Sequence, residues 1–128
     1  MSIIRQDYGE VGGGVESKEY TFTPSEMTNA TDTNPLVVNG DFSKYNYFAL
    51  NGQYASATVG NKGGGYYPID RGIKTKYSTG MNTNGYVGYR NLTIYNDRIE
   101  VGNGYYNTTQ SSNYGCINSL VFFNLSTS

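Results

Sequence analysis

The stretch Leu92-Thr93-Ile94-Tyr95-Asn96-Asp97-Arg98-Ile99-Glu100-Val101 alternates apolar and polar residues on both sides of Asn96-Asp97. Asn and Asp tolerate the positive φ angles that the favoured two-residue hairpin turns require. The stretch therefore predicts a β-hairpin whose register is nearly fixed, because a slip by one residue would turn the apolar side chains to solvent. The residues expected on its core face are Leu92, Ile94, Ile99 and Val101.

Short segments rich in β-branched and aromatic residues recur along the rest of the chain, separated by Gly and Asn and without helical periodicity. Such spacing predicts an all-β fold, an antiparallel β-sandwich of jelly-roll-like type or a small barrel. Thr23-Pro24-Ser25-Glu26 has the pattern of a capping box and predicts one helical turn. The other predicted strands are residues 15–23, 36–38, 45–50, 54–59, 66–77, 86–90 and 120–125, with a flexible loop at 60–65.

The composition favours surface contact over catalysis. The chain has 128 residues, with 14 Tyr and 17 Gly but no His and no Trp. Tyr offers a broad amphipathic contact surface. Without His, the usual Ser and Cys triads are excluded, and so is the commonest metal ligand. We expect one folded domain with no catalytic residues, no metal site and no cofactor.

Charge and apolar content limit the classes of partner. The net charge is −1 and only 15% of residues are charged, so attraction to nucleic acid or to acidic membranes is expected to be weak. No apolar run approaches the roughly 18 residues of a membrane span, and the first residues do not resemble a signal peptide. We expect synthesis in a cytoplasm, with neither nucleic acid nor membrane as partner. Cys116 has no second Cys to pair with and is expected to be a buried thiol, although an intermolecular pair stays open.

Other chemistry is weakly indicated. A carboxylate pair for glycoside hydrolysis would have to come from Asp70, Asp97 and Glu100, but turn formation and solubility are the favoured explanation of these residues. Residues 60–65 lack the ending of a phosphate-binding loop. Asp32-Thr33-Asn34 and Asn39-Gly40-Asp41 each offer only two side-chain ligands for calcium.

The amino-terminal segment is set apart by Gly12-Gly13-Gly14, which cannot stabilise the interior of a strand or helix. The glycines predict a division into an arm of residues 1–14 and a β-sandwich domain of residues 15–128. The arm is expected to order on another surface rather than on its own domain, although a frayed terminus is the alternative. The apolar side chains expected to anchor it are Ile3, Ile4, Tyr8 and Val11.

Two pairs of adjacent tyrosines are candidate contact residues. In a strand, one ring of each pair faces the core and the other faces out. Outward rings suit subunit interfaces or stacking on sugars. The residues are Tyr66, Tyr67, Tyr105 and Tyr106.

The opening Met1-Ser2-Ile3-Ile4-Arg5-Gln6-Asp7-Tyr8-Gly9-Glu10-Val11-Gly12-Gly13-Gly14 resembles the start of small virion-associated proteins of tailed phages and prophages of gut Firmicutes. Asp70-Arg71-Gly72-Ile73-Lys74-Thr75-Lys76-Tyr77 is similar to a strand written roughly Asp-x-Gly-Phe-x-Pro-Lys in β-sandwich domains of phage head and tail fibres, with Ile73 in place of Phe and Thr75 in place of Pro. In the same order, Leu92 to Val101, Gly104-Tyr105 and a last apolar strand follow.

The resemblance implies a structural protein of the virion, a decoration, head-fibre or tail-fibre module made in the bacterial host cytoplasm. It implies a homo-oligomer, often a trimer, whose amino-terminal arm docks on capsid or tail proteins. The expected function is decoration or attachment to a host surface. The alternatives are a carbohydrate-binding module that recognises a cell-surface glycan through its tyrosines and, third, a glycan hydrolase.

Overall fold

A computed structural model describes the backbone of residues 2–7 and describes residues 16–125. The fold is mostly β-strand, with about 60% of residues in strands and 5% in helix, as the strand spacing predicts. Its elements are β1 (Ser2–Asp7), β2 (Glu16–Thr21), α1 (Pro24–Thr28), β3 (Leu36–Asn39), β4 (Tyr47–Ala55), β5 (Thr58–Pro68), β6 (Thr75–Met81), β7 (Val87–Ile94), β8 (Arg98–Tyr106), β9 (Thr109–Gln110) and β10 (Tyr114–Phe123).

The strands form two packed antiparallel sheets, which confirms the predicted β-sandwich. The first sheet has the order β1-β2-β10-β4-β5, and the second has the order β3-β8-β7-β6 with β9 on β8. Early strands pair with late ones, β2 with β10 and β3 with β8, so the sandwich closes only when the end of the chain is in place. No helix among the described residues is long and apolar enough to cross a membrane.

The hairpin predicted around Asn96-Asp97 is present, but its turn is not of the favoured type expected there, because neither Asn96 nor Asp97 has a positive φ angle. Ile94 pairs with Ile99, and the Tyr95 amide donates to the Arg98 carbonyl oxygen at 2.8 Å. All four residues predicted on its core face are buried. A local turn and an alternating pattern therefore suffice to position the centre of the second sheet.

The capping box is also confirmed. The Glu26 amide donates to the Thr23 hydroxyl at 3.2 Å, and the Thr23 amide donates to Glu26 Oε1 at 2.8 Å. These reciprocal bonds satisfy backbone donors that a helix start leaves free. The resulting short helix, α1, buries Met27 completely in the core.

Residues 60–65 are not a loop, which corrects the sequence prediction. They lie inside β5 and pair with β4, for example Gly63 with Gly52. Glycine is needed here because the two sheets touch backbone to backbone: a Cβ atom on Gly63 would lie 2.9 Å from the Cα atom of Gly80 in β6. The strand predicted at 54–59 is consequently divided between the end of β4 and the start of β5.

The strand predicted at 66–77 is divided as well. β5 ends at Pro68 and β6 begins at Thr75, with a loop between them. Arg71 in this loop donates to the carbonyl oxygens of Phe42, at 2.9 Å, and of Tyr45. The last strand starts earlier than predicted, at Tyr114, and lies in the middle of the first sheet. Cys116 within it is buried, as expected.

The first segment differs from the expected arm. Ser2–Asp7 forms β1, whose backbone pairs with β2 from Ser2 opposite Thr21 to Asp7 opposite Glu16. Pairing within the chain covers the backbone groups that β2 would otherwise leave open at a sheet edge. Tyr8 and Val11 lie outside the described residues, and anchoring by Ile3 and Ile4 stays a prediction.

The interior has two halves. In one half, which we call the aromatic half, the Phe122 ring lies among other aromatic rings, the nearest being that of Phe42 at 4.8 Å between centroids. In the other half, which we call the backbone half, glycines bring the sheets together and the fully buried Arg90 fills the space. Arg90 donates to five carbonyl oxygens at 2.7 to 3.0 Å, those of Ala30, Gly102, Ser112, Tyr114 and Gly115.

Candidate binding surfaces

An aromatic patch lies on the outer face of the first sheet. Phe48 and Phe122 point into the core, so their neighbours Tyr47 and Phe123 point outward, where their ring centroids lie 6.0 Å apart. Tyr66 on β5 packs edge-on against Phe123 at 6.3 Å and is 79% exposed. The aromatic patch is thus Tyr47, Tyr66 and Phe123, which come together from three adjacent strands.

Tyr67 does not belong to this surface. Its ring packs against Phe48, at 5.4 Å, and against Tyr77, at 4.7 Å, on the core side of β5. The predicted alternation of the Tyr66-Tyr67 pair is therefore confirmed, and Tyr67 as an outward contact residue is corrected to a core side chain.

Tyr105 and Tyr106 lie on the second sheet and form no common surface with Tyr66. Both are half-buried. Lys76 Nζ sits 4.2 Å from the centroid of the Tyr105 ring. The Tyr106 ring packs on Tyr114 at 4.5 Å. The four predicted contact tyrosines therefore serve separate regions of the molecule.

A polar cleft that the sequence analysis missed lies on the outer face of the second sheet. Leu92 and Ile94 point into the core, so the alternate residues Asn91 and Thr93 point to the opposite face. The cleft has a volume of about 270 Å³. Its lining residues are Asp32, Pro35, Gly72, Lys74, Asn91, Thr93, Tyr95, Glu100 and Gly102.

Asp32 organises one end of this cleft. Its carboxylate accepts hydrogen bonds from the Asn103 amide at 2.8 Å, from Asn91 Nδ2 at 3.2 Å and from Lys74 Nζ at 3.0 Å. Burial alone would raise the pKa of Asp32, but the bonds from Asn103, Lys74 and Asn91 outweigh it and lower the pKa. The carboxylate is therefore charged and fixed in direction at neutral pH.

Arg98 organises the other end. Its guanidinium binds Glu100 Oε2 at 2.8 Å and Asp97 Oδ1 at 2.9 Å, and it lies 3.8 Å from the centroid of the Tyr95 ring. Two of the three carboxylates considered for glycoside hydrolysis are thus ion-pair partners of one arginine. The third, Asp70, is exposed in the loop between β5 and β6.

The two loops considered for calcium use their carboxylates within the chain. Asp32 is bound as described, and Asp41 Oδ1 accepts from the Ser43 hydroxyl at 2.6 Å and from the Ser43 amide at 3.0 Å. Within residues 16–125, no three acidic, His or Cys side chains lie close enough together to share a metal ion.

Comparisons with protein families, with curated proteins and with solved structures find no match for this chain. The aromatic patch and the polar cleft are therefore the structural observations from which a function can be proposed.

Proposed function

We propose that this chain is a non-enzymatic structural protein of a phage particle, which exposes a β-sandwich for decoration or for attachment to a host surface. The aromatic patch carries the proposal, because Tyr66 is a large side chain left 79% exposed beside two other outward rings. The resemblance of residues 1–14 and of residues 70–77 to virion proteins supports the choice of a phage particle.

The patch has the chemistry of a protein contact. An aromatic side chain can bury about 150–250 Å², and Tyr is among the residues that dominate binding energy at interfaces. Phe123 supports Tyr66 from the side, so the ring loses little freedom on binding. Such a contact is small, and repetition over many copies on a particle would compensate for its weakness. A homo-oligomer, with a trimer favoured, would present several patches at once.

Attachment is assigned to residues 1–14. β1 is the terminal strand of the described first sheet, so one of its edges is open to pairing with a strand of a capsid or tail protein. The apolar anchors Ile3, Ile4, Tyr8 and Val11 would add side-chain contacts there. The same segment would thus complete its own sheet and extend it onto the particle.

Incorporation into particles tests this function. Gradient-purified particles from cells that encode the full chain, a variant lacking residues 1–14 or Tyr66→Ala would be quantified by mass spectrometry. We expect the full chain at a fixed ratio to capsid protein, at least tenfold less of the truncated chain, and normal incorporation of Tyr66→Ala. Absence of the full chain from particles would refute the virion assignment. Full occupancy by the truncated chain would refute the role of the arm.

A further inference from the structure

The floor of the polar cleft carries hydrogen-bonding atoms that no group of the described chain uses. Asn91 and Thr93 are each only 6% exposed, and both line the cleft. Asn91 Nδ2 is bound to Asp32, but neither Asn91 Oδ1 nor the Thr93 hydroxyl has a hydrogen bond within residues 16–125. Neither atom is sealed from solvent, because the described residues include no solvent-inaccessible, unbonded side-chain atom on Asn91 or Thr93. Both atoms therefore reach the cleft and are open to hydrogen bonds with a ligand.

The charges around the cleft are already paired. Asp32 binds Lys74 at 3.0 Å and Glu100 binds Arg98 at 2.8 Å. Arg98 also binds Asp97, so two cations face three carboxylates and the cleft offers no excess positive charge to an anionic ligand. The hydrogen bonds that fix Asp32 also fix the Asn91 amide, which suits a neutral ligand with several hydroxyl groups in set directions.

The walls add an apolar element and a size limit. Tyr95, Pro35 and Gly72 line the cleft beside its polar floor. A volume of about 270 Å³ lies just under the range of roughly 300–1,000 Å³ for drug-sized ligands, so it suits a single small ring. A ring with hydroxyls on its rim and C–H groups on its face would satisfy both the floor and the wall.

We propose that this cleft binds a neutral hexopyranose unit of a glycan. Asn91 Oδ1 accepts from one sugar hydroxyl, the Thr93 hydroxyl bonds to a second, and the Tyr95 ring packs against the C–H face on the side opposite Arg98. The site goes beyond the proposed function and does not rest on it, since it lies on the sheet opposite to the aromatic patch and would bind sugar on or off a particle.

An NMR titration of the full chain with glucose, galactose and N-acetylglucosamine tests the site. We expect saturable amide shifts with at least one sugar, at a dissociation constant on the order of 1 mM because few contacts are made. The shifts should cluster at residues 91–95 and 100–103. Glucuronate, which adds a carboxylate to the glucose ring, should bind more weakly than glucose beside Asp32 and Glu100.

Two variants locate the binding. Thr93→Val keeps the shape but removes one hydroxyl, which should weaken binding about fivefold to tenfold, as for one neutral hydrogen bond. Thr21→Val on the first sheet is the matched control and should bind like the unmodified chain. If Thr93→Val does not fold, Tyr95→Ala takes its place, with an expected loss of at least tenfold.

Several results would overturn the site. They are the absence of saturable shifts with all three sugars, shifts confined to the aromatic patch, tighter binding of glucuronate than of glucose, and folded Thr93→Val or Tyr95→Ala that binds normally. None of these would affect the incorporation of the chain into particles, so the two proposals fail separately.

Discussion

The two halves of the interior are held together by different chemistry. In the aromatic half, Phe122 packs against the rings of four neighbours at 4.8 to 6.2 Å. In the backbone half, glycines let the sheets touch, and Arg90 bonds to carbonyl oxygens from separate segments. Dispersion contacts among rings are many and individually small, whereas the bonds of a buried guanidinium are few and directional. We therefore expect the aromatic half to repack after a side-chain substitution and the backbone half not to.

Substitution of Arg90 is expected to have the largest effect on stability and so tests the comparison most strongly. Burial lowers the pKa of Arg90 to about 10, so the group stays charged at neutral pH. Arg90→Met would leave five carbonyl oxygens without this donor, three of them in buried bonds and two in part-buried ones. Because each unsatisfied buried group costs about 1–3 kcal/mol, we expect a loss of at least about 5 kcal/mol, or no folding. Urea unfolding followed by circular dichroism measures it.

Arg98→Met is the matched control for Arg90→Met. Arg98 is partly exposed and bonds to carboxylates at the surface, so its loss should cost less than about 1 kcal/mol. Equal urea midpoints for the two variants would show that Arg90 does not hold the backbone half together.

Phe122→Ala probes the aromatic half. The side chain is fully buried, and truncating a buried Phe costs about 3–5 kcal/mol through lost transfer energy and the cavity left behind. Phe123→Ala, one residue along and on the outer face, should cost about 1 kcal/mol or less. Phe122→Leu should recover most of the lost stability, because neighbouring rings can repack. A fully destabilised Phe122→Leu would mean that this half is as intolerant as the other.

Gly115→Ala tests direct backbone contact in the backbone half. Gly115 has φ 72°, and a Cβ atom there would overlap the Tyr89 carbonyl oxygen. Gly85 also has positive φ, 87°, but a Cβ atom there would meet nothing within 4 Å. We expect Gly85→Ala to cost about 1 kcal/mol from strain alone and Gly115→Ala to cost about 3 kcal/mol or more. Equal losses in thermal unfolding would contradict the close approach of the sheets.

The contrast also explains what could be predicted from sequence. The hairpin at Asn96-Asp97 and the capping box at Thr23 depend on residues a few positions apart, so their pattern was sufficient. Asn91 and Thr93 alternate with the core residues Leu92 and Ile94, so the sequence could have indicated a polar outer face on this strand. Asp32 could not be placed on that face, because it reaches the cleft from a loop far away in sequence.

One wrong prediction and one omission lie in the backbone half. Residues 60–65 looked like a loop, since glycine has no side chain whose pattern could indicate the contact with Gly80. Nothing in the sequence indicates that Arg90 is buried, because the carbonyl oxygens that surround it carry no sequence signal. Side-chain patterns predict burial against other side chains, but they do not predict contacts between backbones.

The smallest expected effect is a pH dependence of stability that arises from Asp32, beside the backbone half. Ala30 gives its carbonyl oxygen to Arg90 inside the sandwich, while Asp32, two residues on, binds the Asn103 amide outside. Because the pKa of Asp32 is lowered in the folded chain, its contribution to stability is complete above the unfolded value of about 3.9 and is lost as pH falls through the lower folded pKa.

Asp32→Asn measures this link. Urea unfolding of the unmodified chain and of the variant should differ at neutral pH, with the variant less stable, and the difference should shrink as pH falls below about 4 because the unmodified Asp32 becomes protonated. Phe122→Leu, compared in the same way, should differ from the unmodified chain by the same amount at each pH. A constant difference for Asp32→Asn would mean that the charge of Asp32 does not stabilise the loop over Arg90.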